Sequence, residues 1–126
     1  MKQILAVIRP QKINETKEAL IKAGFSGFTA TKVLGRGRGN VDFRVLRAAA
    51  DGTEEAIARL GDGPLLISKR LMNITVPDDK AGTVIQTIIE SNKTGTAGDG
   101  KIFVLPIHET IRIRTGERDS IALQEH

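Results

Sequence analysis

Between Thr94 and Lys101 the chain reads Thr-Gly-Thr-Ala-Gly-Asp-Gly-Lys, three glycines in eight residues. Glycines at that density permit positive φ angles and let a ligand come close to the backbone. Successive peptide N–H groups in such turns converge into a concave nest suited to an anion. Lys101 adds a compact ammonium group. Arg112 and Arg114 alternate at strand spacing, so both are expected on one face. The chemistry implied is capture of a phosphorylated ligand by a glycine turn, one lysine and two arginines.

The spacing from Gly95 to Gly100-Lys101 nearly spells a Walker A loop. That loop needs Ser or Thr after the lysine to hold Mg²⁺, and it runs from a strand into a helix. Here Ile102 follows, and Ile102 to Ile107 reads as a strand. A P-loop NTPase is therefore disfavoured. A second glycine cluster, Gly35-Arg36-Gly37-Arg38-Gly39-Asn40, has neither the third-glycine spacing nor the following helix of a dinucleotide fingerprint.

Composition narrows the classes further. The 126 residues suit a single domain, 40% of them hydrophobic and 27% charged, as in a soluble globular protein. No apolar run approaches the roughly 20 residues of a membrane span, and no charged-then-apolar leader opens the chain, so a cytoplasmic location without membrane insertion is expected. With no cysteine, disulfides, thiolate metal sites and cysteine nucleophiles are excluded. Two histidines, His108 and His126, do not suggest a zinc site. The net charge of +4 would suit nucleic acid, but four Phe with no Trp or Tyr provide poor stacking platforms, so no nucleic-acid partner is expected. Ser68, Ser91 and Ser120 have no histidine beside them in these motifs, and no enzyme is expected.

The elements that must position these groups follow from periodicity. Ile4 to Ile8 is a buried strand ended by Pro10. Asn14 is expected to cap a first helix whose apolar face carries Ala19, Leu20 and Ala23, with Gly24 as terminator. Phe28 to Leu34 alternates as a second strand, Phe28, Ala30 and Lys32 opposing Thr29, Thr31 and Val33. Residues 41–64 form a long excursion with a short helix expected over Glu54 to Leu60. Leu65 to Val76 is a third strand stopped by Pro77. A second helix begins at Asp78 or Asp79 with Val84, Ile85, Ile88 and Ile89 at helical spacing, and Ile102 to His108 is the last strand. That order gives an α+β, ferredoxin-like βαββαβ sandwich, an antiparallel sheet with two helices on one face. The other sheet face is left uncovered, which implies oligomerisation.

Several of these segments together resemble one family. Gly98-Asp99-Gly100-Lys101-Ile102-Phe103-Val104 and Ile111-Arg112-Ile113-Arg114-Thr115-Gly116-Glu117 look like the two signatures of PII nitrogen-signalling proteins. Ala6-Val7-Ile8-Arg9-Pro10 and the Gly35-x-Gly37-Arg38 turn also fit. The resemblance implies a single PII-like domain over residues 1–126, with a long flexible T-loop at 37–66 and a C-terminal tail at 109–126. It implies a homotrimer, or a hetero-oligomer with a sister PII-like chain, binding ATP or ADP between subunits and 2-oxoglutarate beside ATP and Mg²⁺. By that resemblance Thr29, Gly35, Gly37, Arg38, Gly98, Asp99, Gly100, Lys101, Arg112 and Arg114 bind nucleotide, and Lys69 pairs with a carboxylate of 2-oxoglutarate. No protein side chain is assigned to a metal.

Two positions depart from the pattern. Gly39 stands where the family carries a glutamine whose oxygen helps bind Mg²⁺, and Asn73 where a glutamate contacts the base. The long loop lacks the tyrosine that general signalling members have uridylylated. With Lys69-Arg70 and Glu90-Ser91-Asn92, it is similar to the nitrogenase-associated subgroup, which implies a nitrogenase component as target. The alternative is a PII protein that regulates an ammonium transporter, through Arg44 or Arg47 in the loop, or glutamine synthetase.

Overall fold

The computed structural model describes residues 1–36, 66–119 and 121–123. Four strands and two α-helices follow in order: β1 (Lys2–Ile8), α1 (Ile13–Lys22), β2 (Phe28–Gly35), β3 (Ile67–Val76), α2 (Asp78–Asn92) and β4 (Lys101–Pro106). The strands form one sheet in the order β2-β3-β1-β4, and every neighbouring pair is antiparallel. This is the expected ferredoxin-like arrangement. The expected helix at Glu54 to Leu60 lies outside the described residues. Among the described residues no helix is long and apolar enough to cross a membrane.

Alternation in β1 sets the two faces. Ile4, Ala6 and Ile8 are buried, while Gln3, Leu5 and Val7 are half-buried. The cross-strand register carries that division across the sheet, pairing Ile4 with Ile74 and Val104, and Ala6 with Met72 and Ile102. Leu20, Ala81, Val84 and Ile88 of the helices close over these residues to form the core, with Ile85 and Phe28 packed at its margin. A polar link is buried with it: Asn92 donates to the Thr16 hydroxyl at 3.0 Å, and Thr16 donates to the Lys12 carbonyl at 2.7 Å. Truncating a fully buried leucine such as Leu20 to alanine costs about 2–5 kcal/mol.

On the opposite face Leu5, Val7, Leu71 and Phe103 share adjoining positions, and no described element covers them. Phe103 is 52% exposed. The uncovered apolar face read from the strand pattern is therefore present among the described residues.

Three local expectations are corrected. Asn14 does not cap α1: the N-cap is Lys12, without a side-chain bond, after a 3-10 turn over Pro10–Lys12. Pro10 sets a helical φ early, so the chain is already turning before Asn14. Ala23 is the exposed C-cap, outside the apolar face, and Gly24 follows at φ 97°. Gly24 N–H bonds to Ile21 O and Phe25 N–H to Leu20 O, the paired bonds of a Schellman ending. His108 lies beyond β4, which ends at Pro106 opposite Lys2, where β1 itself begins and leaves only Met1 to pair with Ile107.

Candidate functional site

The glycine turn is shaped by a carboxylate from within. Asp99 accepts from the amides of Thr94 and Gly95, at 2.9 and 3.0 Å, and from the Thr94 hydroxyl. Gly95, Gly98 and Gly100 take φ values of 84°, 96° and 113°, which let the backbone curl around that side chain. At Gly100 a Cβ would stand 2.1 Å from the Val7 carbonyl oxygen, so the turn meets β1 where no side chain fits.

Arg9, at the end of β1, holds the turn from outside. Its guanidinium donates to Asp99 at 2.7 Å, to the Thr96 hydroxyl at 3.2 Å and to the Ala97 carbonyl at 2.9 Å. The Thr94 bond, followed by its amide, the Gly95 amide and Arg9, holds the Asp99 carboxyl well below the usual carboxylate range. Arg9 was not among the site residues expected from sequence. The sequence marked it only as part of the Ala6-Val7-Ile8-Arg9-Pro10 segment that fits the family, with no role attached.

Lys69 approaches the same turn from β3. It is 9% exposed, and its Nζ lies 3.4 Å from the Gly98 carbonyl. Burial, and then the nearby Arg9 charge, lower its pKa. Burial leaves this ammonium short of hydration beside the Arg9–Asp99 ion pair, and an anionic partner there would favour its charged form. Gly35 adjoins it, since a Cβ there would meet Lys69 Cγ at 4.0 Å.

The register places Thr29, Gly35, Lys69 and Lys101 on the uncovered face. Thr29 pairs with Asn73, whose side-chain oxygen accepts from Gln3 at 3.2 Å, and Lys101 pairs with Val7. The structure thus gathers Gly35, Lys69, Gly98, Asp99, Gly100 and Lys101 at one end of the sheet. Thr29 lies on the same face, level with Leu5 and two residues further from the turn. Gly37 and Arg38 lie outside the described residues. On the helix side, a cleft of about 380 Å³ between α2 and β4 also reaches the turn, but isoleucines such as Ile85, Ile88 and Ile89 dominate its lining. Lys93 and Lys101 also line that cleft, whereas Lys69 lies on the other face of the sheet.

Arg112 and Arg114 do not join this cluster within one chain. β4 carries the backbone away from Lys101 for five residues, about 17 Å at strand rise. Ile107 N–H then bonds to Met1 O, and the Thr110 hydroxyl reaches Met1 Sδ, at the far end of β1. The two arginines are not on a strand as their spacing implied. They belong to a small hairpin closed by the Ile111–Arg118 bridge, Arg112 near its base and Arg114 exposed in its turn. The local sequence closes this hairpin through Gly116, at φ 73°, which overrides the alternation.

Comparison with known proteins agrees with this architecture. The family described as nitrogen regulatory protein P-II matches residues 1–117. The nitrogen fixation nifHD region GlnB-like protein 2 of Methanobacterium ivanovii is 43% identical over 128 residues, covering 98% of this chain and 99% of that protein. The nitrogen regulatory protein P-II of Porphyra purpurea is 42% identical over 123 residues, 98% of this chain and all of that one (100%). Among solved structures, the crystal structure of Arabidopsis thaliana PII bound to citrate matches with a TM-score of 0.73 at 34% identity, over 99% of this chain and 91% of that one. With a family match over nearly the whole chain and relatives of this identity, the chain belongs to the PII nitrogen regulatory protein family.

Proposed function

We propose that this chain is a regulator of nitrogen fixation that binds ATP or ADP between subunits and transmits the occupancy to a nitrogenase component. The observation that carries the reading is the separation of its cationic groups along β4. Gly98 to Lys101 lies at one end of the strand and the hairpin with Arg112 and Arg114 at the other. A phosphate chain gripped by both groups needs a second copy of the chain, or a sister PII-like chain, to bring its hairpin to this one's glycine turn. The uncovered apolar face around Leu5, Val7 and Phe103 supplies the surface for such assembly, here read as a trimer.

On this reading Lys101, the glycine turn, Gly35, Gly37 and Arg38 hold the nucleotide from one subunit, and Thr29 lies on the same face. Arg112 and Arg114 reach the phosphates from the neighbour. Asp99 acts by shaping the turn. Lys69 takes a carboxylate of 2-oxoglutarate, an assignment supported by its depressed pKa and by the citrate-bound plant relative. Mg²⁺ arrives with the nucleotide's phosphates. Residues 37–66 serve as the T-loop that docks on the target, in keeping with a binding protein and not an enzyme. The nitrogen fixation region named in several relatives favours nitrogenase over an ammonium channel.

Subunit complementation tests the shared site. Arg112→Ala removes a charged hydrogen-bonding partner, worth about 1.5–3 kcal/mol, a ten- to hundredfold loss of ATP affinity by calorimetry. Lys101→Ala chains should be similarly weak. Assemblies formed from a mixture of the two variants should recover a fraction of tight sites, because some interfaces pair an intact turn with an intact hairpin. Recovery of no tight sites would contradict a site shared between chains.

A further inference from the structure

The hairpin that presents Arg112 holds its guanidinium from two sides. Arg112 N–H donates to the Glu117 carbonyl at 2.8 Å, and Gly116 N–H donates to the Arg112 carbonyl at 2.7 Å. These backbone bonds set Arg112 and Glu117 opposite one another across the turn. Their side chains then pair, Arg112 Nη1 to Glu117 Oε1 at 2.9 Å, with Arg112 15% and Glu117 39% exposed. The other terminal nitrogen, Nη2, donates to the Ile121 carbonyl at 2.8 Å. Two acceptors on two different nitrogens fix the plane of the guanidinium. Arg114, two residues further on, is exposed.

We propose that Glu117 is a positioning residue: it holds the Arg112 guanidinium ready to meet the phosphate of a nucleotide bound by the neighbouring subunit. The inference rests on the nucleotide reading above and adds Glu117 to it. A long arginine side chain loses rotamer freedom when it grips a ligand, and ordering it in advance removes part of that cost. The bonds that set the Arg112 geometry come from within its own chain. The Ile121 carbonyl gives the second hold and ties the segment after the hairpin to the same side chain.

The test is ATP binding by the full-length assembled protein, measured by calorimetry for wild type, Glu117→Ala, Glu117→Gln, Glu117→Asp, Arg112→Ala and the Arg112→Ala/Glu117→Ala double variant. Glu117→Ala should weaken ATP about three- to tenfold. Glu117→Asp, which keeps the carboxylate, should recover part of the loss. Glu117→Gln keeps the bulk of the side chain and guards against misfolding of the hairpin; it should fall between Asp and Ala. In the Arg112→Ala background, adding Glu117→Ala should change affinity by no more than about twofold, because the group being positioned is gone. Unchanged or tighter binding by Glu117→Ala, with Arg112→Ala still weakened, overturns this proposal and leaves the nucleotide site standing. An equal loss from Glu117→Ala in both backgrounds overturns it too, as the mark of a purely structural role. Unchanged affinity in Arg112→Ala overturns the phosphate assignment of Arg112 and this proposal together.

Discussion

Replacing Gly100 with alanine probes the contact on which the turn depends. Two costs arise. At φ 113° an L-residue is strained, by roughly 1–2 kcal/mol for a left-handed backbone. The new Cβ would also stand 2.1 Å from the Val7 carbonyl oxygen and 3.2 Å from its carbon, far inside the roughly 3.5 Å of a favourable contact. The obstructing atoms are backbone of β1, an inner strand of the sheet, so they cannot swing aside as a side chain would. Overpacking of this kind costs about 1–3 kcal/mol. Together the change should destabilise the protein by about 2–5 kcal/mol, a large part of the 5–15 kcal/mol typical of a folded domain. At roughly 3–5 °C per kcal/mol for a chain of this length, the melting midpoint should fall by about 6–25 °C. Thermal unfolding followed by circular dichroism reads this directly, and two other glycines separate the causes. Gly24, at φ 97° with no atom within 4 Å of a built Cβ, should show the strain alone, about 1–2 kcal/mol. Gly82, inside α2 with open space around it, should gain about 0.5–1 kcal/mol as alanine. A Gly100→Ala protein that melts with the wild type, or no lower than Gly24→Ala, would refute the argument that Val7 and the turn meet too closely for a side chain.

Two pH dependences follow from the same site. Asp99 titrates below its unfolded value of about 3.9, so its contribution is complete above that pH and is lost as pH falls through the lower folded value. Asp99→Asn should flatten stability over that acid window in urea titrations; an unchanged slope would mean that the Thr94, Gly95 and Arg9 bonds do not favour the charged form. Lys69 behaves in the opposite sense on the alkaline side. Its pKa is lowered in the fold, so between that value and about 10.4 the unfolded chain holds more protons and stability rises with pH. Lys69→Met should abolish that rise, and a rise that survives the substitution would assign it to another group.

The sequence by itself determined the elements and their order. The apolar run of β1, the alternation in β2, helical spacing at Val84 and Ile88, and breakers at Gly24 and Pro77 each act within a few residues, so local physics suffices to read them. Glycine density made the turn at 94–101 legible as well. Gly100 had a local motive, its positive φ, but its steric necessity came from Val7, more than ninety residues away. Arg9 escaped notice for the same reason: its bonds to Asp99 and Thr96 span the chain. The spacing of Arg112 and Arg114 suggested one strand face beside Lys101, yet β4 carries them to the far end of the sheet and Gly116 turns them into a hairpin. Short-range periodicity records which side of an element a residue faces. Which ends of which elements meet is decided by strand register and by the direction of each strand in the sheet, and those exist only once the chain has folded.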